Sequence, residues 1–297
     1  MNTTFTNKAP AQSSVMVVPV YSGQQLGKNT KILDKELGGT ISARLKSKSQ
    51  FQGQTGQTLS LSVDDSYGVK DIILLGMGKP EAISKQTLRA LASPLRMAIA
   101  STQENETIFV SDTLKNSALT AEEIAAHMID SIRATSYTFN KYKTNANTNT
   151  GVSNITAIVS NPKRAENLYA ELSSLTDSVN WARDLGNEPP NKLTPVEYAK
   201  RIEGRMRDFS KVKVTVLDED DMKAHNMGGI LAVAQGSTAN PPRMVIIEYD
   251  GTDGQQERPL GLVGKGVTFD SGGNNIKPGA SMTGMKMDMC GSASVVG

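Results

Sequence analysis

The first half of the chain alternates short apolar runs with stretches of helical spacing. Residues 14–21 (SVMVVPVY) form a continuous β-branched and apolar run, the pattern of a strand buried on both faces. Residues 71–75 (DIILL) read the same way and stop at Gly76. Residues 82–100 keep helical spacing, with Pro94 expected to bend or break the helix. A short strand is predicted at 107–110. Thr120 and Glu123 then stand in capping-box spacing before Ile124, Met128 and Ile132, which lie on one helical face. The Asn- and Thr-rich stretch 141–154 reads as a loop and 155–159 as one more strand. Strand and helix in alternation predict an α/β domain with a mainly parallel sheet.

A long helix follows. Asn161 suits its N-cap, Pro162 its first turn and Gly186 its end. Leu168, Leu172, Leu175, Val179 and Ala182 recur at steps of four and three, predicting one apolar stripe. After it, Asn187-Glu188-Pro189-Pro190-Asn191 cannot be helical before either proline. The pattern then restarts. Thr194 and Glu197 repeat the capping-box spacing, and Ala199, Ile202, Met206 and Phe209 keep helical steps. Residues 211–217 alternate strictly, with Val212, Val214 and Val216 on one face; 244–249 and 260–263 are further predicted strands. No repeat of fixed period is visible. The expected organisation is an N-terminal domain over 1–160, a connecting helix over 161–186 and a second α/β domain over 187–297.

Composition narrows the chemistry. At 297 residues the chain has room for about two domains, and 38% hydrophobic against 21% charged residues is ample for a packed core. Lys plus Arg is 32 and Asp plus Glu 30, a net charge of +2 that argues against nucleic acid or an anionic membrane as partner. One cysteine, Cys290, and two histidines, His127 and His225, exclude a disulfide framework and a Cys- or His-rich zinc centre. Chemistry must therefore come from carboxylates, lysines and hydroxyls. No apolar run approaches membrane-helix length. The first eleven residues lack the apolar core of a secretory signal, so a frayed N-terminus in a cytoplasmic protein is expected.

The informative stretch is 263–297 (VGKGVTFDSGGNNIKPGASMTGMKMDMCGSASVVG), which sets Lys265, Asp270, Lys277, Lys286 and Asp288 among glycines and small residues. Strands ending at Gly264 and Asp270 would bring Lys265 and Asp270 to a sheet's C-terminal edge, where ligands bind in open α/β folds. Hard divalent cations take carboxylate oxygens, and Asp270 and Asp288 can share such a site if the loop between them folds back. A lysine beside a cation can lose its proton and coordinate, while a second can stay charged and stabilise a developing oxyanion. This set suits metal-assisted hydrolysis. The same residue types also form ordinary surface ion pairs. A phosphate loop is excluded, because Pro259 stands where the first glycine belongs and Gly266 follows the lysine. Gly76-Met77-Gly78 offers only half a dinucleotide fingerprint, with Glu81 at the third glycine position. Met282, Met285, Met287 and Met289 suit an apolar pocket wall or core packing.

Residues 263–297, with Asn187-Glu188-Pro189-Pro190-Asn191, Met227-Gly228-Gly229, Gln235-Gly236-Ser237 and Pro241-Pro242-Arg243 upstream in order, resemble the leucyl aminopeptidase (cytosol aminopeptidase) family. The resemblance implies a macro-domain-like N-terminal α/β domain followed by an α/β metallo-aminopeptidase catalytic domain, here incomplete. It implies removal of N-terminal residues, often leucine, from peptides with two divalent ions, manganese or zinc, and assembly into hexamers. Lys265, Asp270 and Asp288 match the family's metal ligands, Asp270 being the bridging one. Lys277 matches the catalytic lysine that polarises the scissile carbonyl. Asn274, Asn275 and Ser292 depart from the family pattern without touching these positions. The family's second signature, Asn-Thr-Asp-Ala-Glu-Gly-Arg, is not in the chain. Asp270 and Asp288 then bring two negative charges against about four positive from two divalent ions, and uncompensated charge in a partly buried site is costly. Two expectations follow: a portion of a longer enzyme, or a truncated, inactive relative acting as a binding or assembly module.

Overall fold

The computed structural model describes residues 1–8, 13–47, 50–63, 68–145, 152–255 and 258–297. The chain divides into two compact units, Met1–Asp177 and Ser178–Gly297.

The first unit is built on a six-stranded sheet. Its strands are β1 (Asn2–Thr6), β2 (Val15–Tyr21), β3 (Thr58–Ser62), β4 (Asp71–Gly78), β5 (Glu106–Val110) and β6 (Asn154–Ile158), in the order β1-β6-β5-β2-β4-β3. All neighbours run parallel except β3, which pairs antiparallel with β4 from Thr58↔Leu75 to Ser62↔Asp71. Central strand β2 is buried at every position, which explains its unbroken apolar run. Its alternate residues serve two cores. Val15 and Val17 join Ile73, Leu75 and residues of α3 (Lys85–Ser101) and α4 (Ala121–Thr135) on one face. Met16, Val18 and Val20 join Ile72, Leu74 and residues of α1 (Lys28–Glu36) and α2 (Thr40–Lys46) on the other.

Several sequence expectations are corrected. The N-terminus is not frayed: β1 pairs with β6 from Asn2↔Asn154 to Thr6↔Ile158. Pro94 lies inside α3 without ending it, because Leu91, Ala92, Leu95 and Ile99 on either side are all buried and hold the helix against the sheet. Of the loop expected over 141–154, residues 146–151 lie outside the described residues. The capping box at Thr120 is complete: its hydroxyl accepts from the Glu123 amide, and the Glu123 carboxylate accepts from the Thr120 amide. Helix α5 (Pro162–Asn187) runs through Gly186. Its predicted stripe is not its buried face, since Leu175 and Val179 are exposed while Ala165, Thr176 and Leu185 are buried.

The second unit contains α6 (Pro195–Met206), β7 (Val212–Leu217), α7 (Glu219–Ala224), α8 (Gly228–Ala234), β8 (Met244–Tyr249), α9 (Gly279–Met282) and α10 (Cys290–Val296). β7 and β8 form a two-stranded antiparallel sheet, from Val212↔Tyr249 to Leu217↔Met244. Leu185, Leu193, Tyr198, Ile202, Met289, Ala293 and Val296 form the core, with Trp181 and Val245 against it. The strand expected at 260–263 is absent: no strand pairs with it among the described residues, and Leu260, Leu262 and Val263 are exposed. Cys290 is partly buried. No described helix is long and apolar enough to cross a membrane.

Candidate metal centre

Two local devices carry the four candidate residues, and neither is the strand end that the sequence suggested. The first is a closed turn from Asp270 to Lys277. The Asp270 carboxylate accepts from the Gly272 amide at 2.9 Å, the Asn275 amide donates to the Gly272 carbonyl at 3.2 Å, and the Lys277 amide donates to the Ser271 carbonyl at 2.9 Å. Gly272 has φ +93°, and a Cβ there would lie 2.2 Å from the Asn275 carbonyl oxygen, so the turn requires glycine. Its closure brings Lys277 Nζ to 2.7 Å from Asp270 Oδ2.

The second device is a close backbone crossing. The segment carrying Lys265 lies on the first turn of α10, where the Ser292 amide donates to the Lys265 carbonyl at 2.8 Å. A Cβ at Gly264 would stand 2.4 Å from Ser292 Cα, and one at Gly291 would stand 3.2 Å from the Lys265 amide nitrogen. Side chains at either glycine would keep the two backbones apart. Asp288 ends the 3-10 turn Thr283–Met287 and is followed by fully buried Met289, which anchors it to the core. Lys265 Nζ lies 2.9 Å from Asp288 Oδ2.

The two pairs sense each other. The Asp270 carboxyl is held below its ordinary range, first by the Lys277 ammonium, then by the Gly272 amide, with Lys265 adding to the effect. Lys265 is held above the ordinary lysine value, first by Asp288 and with a further contribution from Asp270. The structure thus joins the four sequence-predicted residues as two ion pairs, Lys265 with Asp288 and Lys277 with Asp270. Lys286 does not join them; its ammonium reaches back to the Asn187 carbonyl at 3.3 Å. Asn187 opens the Pro-Pro segment, whose Glu188 is buried and bound by Arg201 at 3.0 Å; Arg201 also binds Glu197 at 2.8 Å. This diverts the Glu197 carboxylate to Arg201, and at Thr194 the helix cap consists of the hydroxyl accepting from the Glu197 amide.

The donor set suits a cation in part. Asp288 Oδ2 is buried and has no well-formed hydrogen bond; only the charge of Lys265 compensates it. A divalent cation could take the place of the Lys265 ammonium on this oxygen. Two carboxylates match the charge of one divalent ion. Among the described residues no group of three or more His, Cys, Asp or Glu side chains is gathered to hold a metal. The site is also open. Two concavities of the second unit, of about 540 and 430 Å³, are lined by groups such as Lys200, Glu203 and Arg207 or Glu219, Lys223 and Gln235, and neither includes the four residues. Lys265 is 58% exposed and Asp288 19%. His225 is exposed, and His127, half-buried on α4, has its imidazole held below its ordinary value mainly by burial. The contact of Ser292 with the Lys265 segment, and the role of Gly264 and Gly291 in it, could not be read from the sequence, because nothing in the spacing told which backbone segments would touch.

Comparison with known proteins supplies the context. The catalytic domain of the cytosol aminopeptidase family matches residues 180–297, and the N-terminal domain of the same family matches residues 17–146. A probable cytosol aminopeptidase of Pseudomonas aeruginosa (strain UCBPP-PA14) is 34% identical over 288 residues, covering 96% of this chain and 58% of the relative. One from Chelativorans sp. (strain BNC1) is 36% identical over 293 residues, covering 97% and 57%. The solved structure of a tomato leucine aminopeptidase mutant superposes with a TM-score of 0.77 at 25% identity, covering all of this chain and 58% of that one. This chain thus spans just under three-fifths of the length of its relatives. Two family domains matched in their proper order, and relatives matched along nearly all of its length, place the chain in the cytosol aminopeptidase family.

Proposed function

We propose that this chain carries the N-terminal share of a metal-dependent aminopeptidase that releases N-terminal residues, leucine-type ones among them, from peptides. In this reading residues 1–160 form the N-terminal domain, 161–186 the connecting helix and 187–297 the first part of the catalytic domain. Lys265, Asp270 and Asp288 would hold divalent ions, two in the complete enzyme and manganese or zinc by the family resemblance. Such ions, when bound, lower the pKa of water and polarise a carbonyl oxygen. The chain's own part is positional and electrostatic. The crossing of Gly264 on α10 fixes Lys265 beside Asp288. The turn at Gly272 fixes Lys277 on Asp270, leaving its ammonium able to donate an N–H to the oxyanion that develops at the scissile carbonyl. The relatives' name, cytosol aminopeptidase, supports a cytoplasmic location, and the family resemblance supports a homo-oligomer of hexameric type.

The observation that carries this reading is the pair of Lys–Asp contacts, Lys265 with Asp288 and Lys277 with Asp270, with the Asp288 Oδ2 atom buried beneath the Lys265 ammonium. A second reading rests on the charge count: two carboxylates match one divalent ion, so this chain by itself would bind without hydrolysing. The test is manganese-dependent release of leucine from leucyl amide, by the chain alone and by the chain fused to the remaining C-terminal part of the Pseudomonas aeruginosa relative. The fused protein should turn over and lose turnover in Lys277→Ala. A correctly folded, manganese-loaded fusion with no turnover would overturn the enzymatic reading.

A further inference from the structure

Ser292 stands at a crossroads. Its amide holds the Lys265 carbonyl at 2.8 Å, and its hydroxyl donates to the Met289 carbonyl at 2.7 Å, one residue after Asp288. With its own proton committed to Met289, the Ser292 oxygen is left as an acceptor, and the Tyr198 hydroxyl lies 3.0 Å away. Tyr198 is buried on α6, fixed by the core that also holds Met289 and Ala293. Desolvation pushes its phenol above the ordinary value, so the proton stays on Tyr198 for donation. A relay therefore runs from Tyr198 Oη to Ser292 Oγ to the Met289 carbonyl, one residue after Asp288, while the Ser292 amide holds the Lys265 carbonyl.

We infer that Tyr198 and Ser292 are positioning residues that set the spacing between Lys265 and Asp288. This deepens the metal-site reading and rests on it for its function, though not for its geometry. Removing the Ser292 hydroxyl frees the Met289 carbonyl, and removing the Tyr198 hydroxyl leaves the Ser292 oxygen without its donor; either change loosens the first turn of α10 against the 264–266 segment. Residues that orient ligands through hydrogen bonds typically change metal affinity by at least about tenfold, and a backbone-mediated relay should sit at that lower bound.

The test uses the 297-residue chain with Mn(II) alone, measured by electron paramagnetic resonance of the free ion, together with hydrogen exchange of the peptides carrying Lys265 and Ser292. Tyr198→Phe and Ser292→Ala should each weaken Mn(II) binding by about tenfold. The double variant should lose no more than either single one, because both break one relay. Ser292→Thr, which keeps the hydroxyl, should restore binding. Exchange at the Ser292 amide should rise in both single variants, below the temperature at which either unfolds. If the parent chain binds Mn(II) and the variants bind it equally well, the positioning role is overturned. If the parent binds no Mn(II), the metal reading fails by itself and the exchange data decide the relay: faster exchange at Ser292 upholds it, unchanged exchange overturns it.

Discussion

Replacing Gly264 with alanine adds one methyl group where its backbone crosses α10. That methyl would sit 2.4 Å from Ser292 Cα and 2.7 Å from both the Gly291 carbonyl oxygen and the Ser292 nitrogen. All three are backbone atoms of a helical turn, so none can rotate aside, and the 263–266 segment must lift. Lifting breaks the Ser292-to-Lys265 hydrogen bond, about 1 kcal/mol. The residual overpacking adds about 1–3 kcal/mol. Alanine's smaller unfolded-state entropy returns about 0.4–1 kcal/mol. The net expectation is a loss of about 2 kcal/mol, which shifts a urea midpoint by about 1 M for a unit of this size. Trp181, the sole tryptophan, packs against the second unit's core and reports its unfolding by fluorescence. Gly261→Ala is the control, since its Cβ would meet nothing within 4 Å; it should be neutral or slightly stabilising. Equal midpoints for Gly264→Ala and the parent chain would mean that the crossing is not rigid and does not position Lys265.

Three further outcomes are expected. Gly272→Ala forces alanine to φ +93° against the Asn275 carbonyl, a strain of at least about 1–2 kcal/mol; amide exchange at Lys277, whose N–H bonds the Ser271 carbonyl, should accelerate, and unchanged protection would count against the closed turn. Arg201→Met removes both guanidinium bonds from Glu188 and Glu197; Glu188 is 3% exposed but Arg201 26%, so the loss should fall below the fully buried case, about 1–3 kcal/mol by urea titration. Asp130, whose carboxyl is raised mainly by burial and partly opposed by the Thr176 hydroxyl at 2.7 Å, binds its proton more tightly folded than unfolded. Its contribution to stability therefore declines as pH rises from the ordinary aspartate value through the raised one, and Asp130→Asn should gain on the parent between pH 4 and 7; a gain that grows toward acid would have the wrong sign.

What the sequence made legible were features decided locally. The cap at Thr120 needs only a hydroxyl and a glutamate three residues apart, and it formed as expected. The run 15–21 needs only apolar continuity, and it became the buried centre of the sheet. Features decided by distant partners were hidden. β1 is a run of Asn, Thr and Phe whose order comes from a strand some 150 residues onward. The exposed residues 260–263 read as a strand because their composition suits one, but composition cannot supply a neighbouring strand. The stripe on α5 has correct helical spacing, yet burial falls on Ala165 and Thr176, where small side chains allow close packing. At the candidate site the residue types were legible and their pairing was not. Lys265 with Asp288, and Lys277 with Asp270, follow from two glycine-dependent backbone contacts that spacing does not encode.

The decisive measurement is Mn(II) titration of the 297-residue chain, followed by electron paramagnetic resonance, beside Asp270→Asn and Asp288→Asn. Each substitution removes one of the two charges that balance a divalent ion while leaving the fold's packing intact. One bound Mn(II) per chain is expected, weakened at least about tenfold by either substitution. Equal binding by all three proteins, or binding by none, would mean that these aspartates and their lysine partners are surface ion pairs and no cation site.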